Sequence, residues 1–463
     1  MPPPYPQYGF HYCIETPSRT RTPIYCAQKV TDNNSTVQPV SPDKKISPLA
    51  RFGDALERHH ALVACIQWMM VLLYGLLLLV PVVSPSNDTS RAARLMFWGI
   101  GWPVIVLSVM LSGRFWCGIF CPDGTLTEFA SRHGKKRSIP RWIRWKGWPC
   151  TMLALTTLYG QAAGFQNHFH ATLVLLGIPT TLALATGYLY GNGKRIWCMY
   201  LCPVNGLFGM LAKQSPIHFH VDKEQWTKFE GTPKRINCTP LINIRQMQSA
   251  SACHACGRCS GYRNAVRLAA RHPAQEILSA NGHSIENADM CLLLWCMAGI
   301  CTLSLAWPDS FWHRLYMETI LSAGLPFDTV LPIWLAESPA ALYRLFLIAA
   351  GGTLLGAVLY GILRLAGRLA NLRSWKPLAL CLVPLIGWSL FSGICHTGFS
   401  VWQEYGLDSI WYRTFEWCIL GFASTCSLWL GMKTILPNRA PARLASLALY
   451  GLSVLLLNLV WLA

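Results

Sequence analysis

A chain of 463 residues that is 52% hydrophobic and only 13% charged falls well short of the roughly 25% charge of ordinary soluble domains. Length alone would permit two or three such domains, but this composition, with 20 Trp, excludes them and calls for a polytopic membrane protein. The formal net charge of +18 is no sign of nucleic-acid binding either, because the basic residues are placed as topology signals.

The first 60 residues are rich in Pro, Thr and Ser and are expected to form a disordered cytoplasmic tail, with no cleavable signal peptide. Apolar runs of about 18 or more residues then recur at 61–83, 95–113, 148–164, 171–191, 289–307, 341–363, 377–395, 414–432 and 444–463. The third is the weakest, interrupted by Thr156, Thr157 and Gln161. The apolar stretch 320–335 has Glu318 and Asp328 at or within its edges and reads as a re-entrant or surface segment. With the N-terminus cytoplasmic, 34 of the 39 Lys and Arg fall on inside segments (1–60, 114–147, 192–288, 364–376 and 433–443). The remainder are Arg91, Arg94, Arg314, Arg344 and Arg413, a strong positive-inside bias. The expected fold is an all-α polytopic membrane protein of about nine transmembrane helices with a small cytoplasmic ferredoxin-like iron–sulfur insert. Its parts are the tail 1–60, a four-helix unit 61–202, the insert 203–288 and a bundle of about five helices, 289–463.

One pattern occurs twice, as Arg114-Phe-Trp-Cys117-Gly-Ile-Phe-Cys121-Pro122 and Arg195-Ile-Trp-Cys198-Met-Tyr-Leu-Cys202-Pro203. Each copy ends a helical hairpin, so the two should meet about a pseudo-two-fold axis along the membrane normal. Each places two sulfurs about one helical turn apart, and together they offer the four thiolates that a [4Fe-4S] cubane requires. The preferred expectation is one shared cluster on Cys117, Cys121, Cys198 and Cys202 at the cytoplasmic membrane edge. A thiol pair that cycles oxidation state or holds Cu(I) stays open. Trp116 and Trp197 read as anchors at the membrane interface.

In the insert, Cys253-x2-Cys256-x2-Cys259 has iron–sulfur spacing, since two-residue gaps let one loop wrap three corners of a cubane. Ser260-Gly261-Tyr262-Arg263 follows in place of a C-x3-C-P continuation. Cys238, the other cysteine of the insert, is therefore the expected fourth ligand, with a structural zinc knuckle as the alternative. His254 is expected to point away from this set. A helix is predicted over Tyr262–Arg271, its first amides near the cluster and Arg258, Arg263, Arg267 and Arg271 in or near it. Clustered thiols on a reducing, cytoplasmic side favour metal ligation over disulfides. The isolated Cys65, Cys150, Cys291, Cys296, Cys301, Cys381, Cys418 and Cys426 read as small packing residues.

The segments 114–122 and 195–203, with Cys-His-Ala-Cys-Gly-Arg-Cys-Ser-Gly at 253–261, resemble bacterial membrane polyferredoxins of the NapH, NosR and CcoG type. Within that family they resemble in particular the FtrD-like proteins found with periplasmic iron-uptake components. The resemblance covers about 61–270. It implies one or two [4Fe-4S] clusters in the bacterial inner membrane, passing electrons from a cytoplasmic or quinol donor toward a periplasmic reductive process linked to iron uptake. Redox partner proteins on both sides and the lipid bilayer are then the partners, with no nucleic acid. The chain departs from larger members in having one cysteine set in its insert.

Clusters at the inner face cannot reach across about 30 Å of hydrocarbon, so a haem, quinone or flavin would have to bridge it. His168, His170 and His396 fall near the outer ends of spans and are the candidate outer-face sites, with His313, Cys395 and Glu416 nearby in depth. Two other functions stay open. One is a copper-binding or copper-reducing assembly factor for a respiratory oxidase. The other is an ion permease regulated by the clusters, against which the scarcity of charge in the last five spans counts.

Overall fold

The computed structural model describes residues 47–462, except 166, 234, 248, 283–284, 308–309, 323–338, 404, 407–411 and 438–440. Among the described residues, eight helices are long and apolar enough to cross a membrane. They are His60–Val83, Asn87–Ser112, Phe169–Tyr190, Asn287–Leu305, Leu342–Leu369, Lys376–Gln403, Tyr412–Ile435 and Arg443–Trp461. They coincide with eight of the nine expected runs, and the ninth, 148–164, is a shorter helix. Trp148–Ala163 is also helical, but its 16 residues end at the left-handed Gly164 and reach only about 24 Å, short of the roughly 30 Å core.

Other boundaries moved for local reasons. The helix expected from 95 starts at Asn87, where Ser86 and Thr89 form a reciprocal cap, and Leu95–Gly101 within it is π-wound. Residues 1–46 lie outside the described residues, but the end of the expected tail, Pro48–Arg58, is a helix capped by Ser47. Its Gly53 lies against Leu268 and Phe219. Phe311–Ser322 is helical, and most of the expected re-entrant stretch 320–335 lies outside the described residues.

Lys376–Gln403 is the most enclosed of the spans, as a helix apolar all round should be. It joins the two membrane units: Trp402 Nε1 donates to Gly99 O at 3.2 Å, and Gly398 rests on Trp98 and Gly99. Asn287–Leu305 and Pro339–Leu369 cross where Gly299 meets Gly352. A Cβ on either would collide with the other's backbone, so small residues set the crossing.

The insert contains the two strands, β1 (Ile217–Val221) and β2 (Val266–Ala270). They are antiparallel, with Phe219 opposite Leu268 and Val221 opposite Val266. The helix predicted over Tyr262–Arg271 is therefore wrong: Tyr262–Asn264 makes one 3-10 turn and a strand follows. Val266 and Leu268 are buried and Arg267 exposed, a period of two that matches β1. The hairpin's inner face shares a core with Phe115, Ile119, Met247 and Ala255, seating the insert on the first C-x3-C-P segment.

Two outcomes follow. Gly299→Leu should lower the thermal midpoint in detergent, the overpacking costing about 1–3 kcal/mol. Gly361→Leu should leave it unchanged, since nothing lies within 4 Å of a Cβ there. Burial first, then Arg271 and His220, push His218 on β1 down to about 4. The unfolded chain, with a histidine near 6.5, then binds more protons between these values, so stability rises with pH across them. The hairpin's hydrogen-exchange protection should be full above pH 6.5 and fall as pH drops through 4.

Candidate iron–sulfur site

Both repeats close in the same way: Cys121 N donates to Trp116 O and Cys202 N to Trp197 O, each at 2.9 Å across five residues. Cys121 then turns extended and caps the helix Pro122–His133, with Gly124 N donating to its Sγ at 3.4 Å. Pro122 stands at the first helical position, where no N–H is needed. This is the local reason for a proline after the second cysteine.

The two turns meet. Cys121 senses the charges of Cys198 and Cys117, and Cys202 those of Cys121 and Cys117. Cys198 senses Cys202 and Cys117. Burial first, then this neighbouring negative charge with that of Asp123, pushes the Cys121, Cys198 and Cys202 thiols well up.

The triplet loop winds through left-handed Ala255, Gly257 and Gly261 and meets Cys238, the predicted fourth member. Lys194 Nζ holds that segment by donating to Cys238 O at 2.9 Å. Burial, then the other thiols, pushes Cys238 up to about 11 and Cys253 up to about 12. Cys259 rises for the same reasons, sensing Cys253, Cys256 and Cys238. Ala255 N donates to Cys253 Sγ at 3.3 Å. Thiols held neutral in this way must release protons when iron binds.

The two quartets touch through backbone. A Cβ on Gly118, between Cys117 and Cys121, would strike His254 O and approach Cys256 N at 2.9 Å. Beside this contact Arg195, 1% exposed, donates to Cys117 O at 2.6 Å and to Glu128 Oε2 at 3.0 Å. Glu128 also receives Arg258 at 2.9 Å and Arg132 at 2.6 Å. Burial alone would raise the Glu128 carboxyl, but Arg195 and Arg258 outweigh it and hold the group below the usual range. One carboxylate thus serves three guanidiniums, leaving positive charge beside both thiol sets. Arg114 adds more, with Nη2 3.8 Å from Cys117 Sγ and 2.7 Å from Asn205 Oδ1.

These residues suit a cubane. Among the described residues no three His, Cys, Asp or Glu close tightly enough to hold a single metal ion, whereas a cubane's thiolates bind four different irons. N–H groups aimed at sulfur, burial and nearby cations are what such a cluster needs.

The other predicted residues are not gathered. His396 stacks on Tyr412, ring centroids 4.9 Å apart, His168 stands just before the first residue of Phe169–Tyr190 with no capping hydrogen bond from its side chain, and His170 meets Phe169 edge-on. His254 is buried, and burial first, then Arg114 and Arg195, keeps it neutral. Trp197 is buried at 1% exposure and is a core residue, not the interfacial anchor expected. Of the four predicted basic residues, Arg258 and Arg271 bind Glu128 and Glu276. Arg263 lies 4.9 Å over Trp226. Glu128, Gly118 and Asp123 were missed; Arg114 and Arg195 had a signal, standing three residues before the first cysteine in both repeats.

An apolar cavity of about 220 Å³ opens between the spans. Cys202 and Asp123 lie at one end, and Trp98, Phe165, Gln161 and Thr397 line it farther along. Thr180 donates to Asp123 Oδ1 at 2.7 Å. Burial pushes this carboxyl up to about 6.

The family described as Fer4_5, 4Fe-4S binding domain, matches residues 95–140 and 173–224, which contain both C-x3-C-P motifs. A protein of Escherichia coli (strain K12) described as an electron transport protein, YccM, is 23% identical over 278 residues. The match spans 52% of this chain and 67% of the relative. No solved structure matches the chain. The two likenesses support iron–sulfur electron transfer.

Glu128→Gln should cost about 3–5 kcal/mol of stability and lower the unfolding midpoint, because Arg195 keeps its buried charge and loses its counter-charge. Thermal denaturation followed by loss of visible absorbance would measure it.

Proposed function

We propose that the chain is an inner-membrane electron relay in which Cys117, Cys121, Cys198 and Cys202 hold one [4Fe-4S] cluster. Cys238, Cys253, Cys256 and Cys259 hold a second. The observation that carries this is the backbone contact between the two quartets at Gly118, which leaves no intervening side chain along the shortest path. When bound, such clusters supply reversible one-electron transfer at potentials set by charge, hydrogen bonds to sulfur and exposure.

The protein's part is to hold that chemistry dry and charge-balanced. Arg195 and Arg258 set cations beside both quartets, and Arg114, Gly124 N and Ala255 N direct N–H groups at sulfur. The positive-inside pattern supports a cytoplasmic side for both quartets and the N-terminus. Electrons then travel toward a periplasmic reductive process, as in the polyferredoxins that the motifs resemble.

The cavity beside Cys202 supports a lipophilic ring carrier, a quinol, as a partner on the membrane side. The copper-handling and permease alternatives have no comparable observation in their favour.

The deciding measurement is metal content after oxygen-free purification. About eight irons and eight acid-labile sulfides per chain are expected, four for each cubane. Replacing Cys117 and Cys198 by Ser should halve both, and Cys256→Ser should remove the other half. Iron unchanged in the first variant would eliminate the shared cluster.

A further inference from the structure

Another group of sulfurs lies outside both quartets. Cys291, Cys296 and Cys301 recur every five residues along the helix Asn287–Leu305. In an α-helix five residues rotate roughly 140° away from the starting face. Here Leu292–Cys301 is π-wound, with hydrogen bonds five residues apart, and the three thiols come to one side.

That side faces the helix Trp148–Ala163. Cys291 Sγ lies 3.7 Å from Cys150 Sγ, and Cys296 Sγ donates to Cys150 O at 3.6 Å. The Cys296 thiol also lies against those of Cys150 and Cys301, and Cys301 Sγ is 3.5 Å from Thr157 Oγ1. Cys296 is buried and Cys291 exposed. Near the pair, Lys146 Nζ meets Glu286 Oε1 at 2.7 Å, marking the polar edge of the membrane. Cys150 and Lys146 line a cleft of about 410 Å³ there.

We propose that Cys150 and Cys291 form a reversible dithiol–disulfide couple that exchanges with a glutathione-type small disulfide, with Cys296 as a resolving thiol. Cys150, which lines the cleft, attacks as thiolate one sulfur of the small disulfide, breaking its S–S bond and releasing one small thiol. Cys291, as thiolate, then attacks the Cys150 sulfur, releasing the second small thiol and closing the Cys150–Cys291 bond. Two protein thiols are oxidised by two electrons, the small disulfide is reduced by two, and the two protons end on the released thiols. At 3.7 Å the sulfurs are in contact, and closing to about 2.05 Å needs a shift of roughly 1.7 Å. Contact between Cys296 and Cys150 lets the bond migrate inward by the same exchange. The closed bond would staple the helix behind the second repeat to the first helix of the C-terminal bundle. None of the eight proposed iron ligands takes part.

The test uses the full-length protein in detergent, equilibrated with mixtures of reduced and oxidised glutathione, alkylated and mapped by peptide mass spectrometry. Oxidising mixtures should yield a Cys150–Cys291 linked peptide, the loss of two alkylatable thiols per chain and unchanged iron, all reversed by reduced glutathione. Cys291→Ser should move the link to Cys150–Cys296, and Cys150→Ser should abolish both. The proposal is overturned if Cys150 and Cys291 stay alkylatable at every ratio. It is equally overturned if they gain only glutathione adducts. A link that forms in an iron-free preparation supports this couple while removing the cluster assignment, so the two fail separately.

Discussion

The absence of a side chain at Gly118 is the constraint on which the rest of the site depends. It sits inside the first C-x3-C-P turn, and the carbonyl of His254 and the amide of Cys256 occupy the space that a Cβ would need. Because of that contact, a membrane-edge thiol set and a loop thiol set form one continuous unit. The hairpin core of Phe219, Val221, Val266 and Leu268 against Phe115 and Ile119 holds the loop down. Pro48–Arg58 closes it from outside through Gly53. The insert is thus a cover for the membrane motifs, not a separate domain on a tether.

Charge is the second requirement. Burial pushes six of the thiols up, those of Cys121, Cys198, Cys202, Cys238, Cys253 and Cys259, and thiolate-ligated iron cores of the proposed kind carry negative charge that a protein must offset. Arg195 stands ready to supply such charge at 1% exposure, and Glu128, itself shared with Arg132 and Arg258, relieves the cost of burying a guanidinium. The arrangement leaves an excess of positive charge where the two sets adjoin. It also makes the network intolerant of losing its single carboxylate.

Much of the site was legible in one dimension. Thiol spacing alone marks the two cysteine pairs and the triplet, since C-x3-C on a helical turn and C-x2-C-x2-C in a loop are short-range geometries. Cys238 could be assigned as a partner because the insert offers no other cysteine. The strand Val266–Ala270 was misjudged because Arg263, Arg267 and Arg271 suggest a helical face, while the period of two in Val266 and Leu268 becomes decisive only when β1 supplies a partner edge. The third thiol group was invisible for a related reason. A five-residue spacing scatters residues around an α-helix, and only the π-winding of Leu292–Cys301 gathers them.

By itself the sequence determined the membrane class, the positions of most spans and the identities of the clustered cysteines. Each is set by hydropathy or by spacing within a few residues. Tertiary structure alone decided that Glu128 unites three arginines and that the two quartets share a wall at Gly118. The same holds for the Cys150–Cys291 contact across 141 residues. Those features depend on which faces meet after folding, and contacts between distant segments leave no periodic trace in either segment.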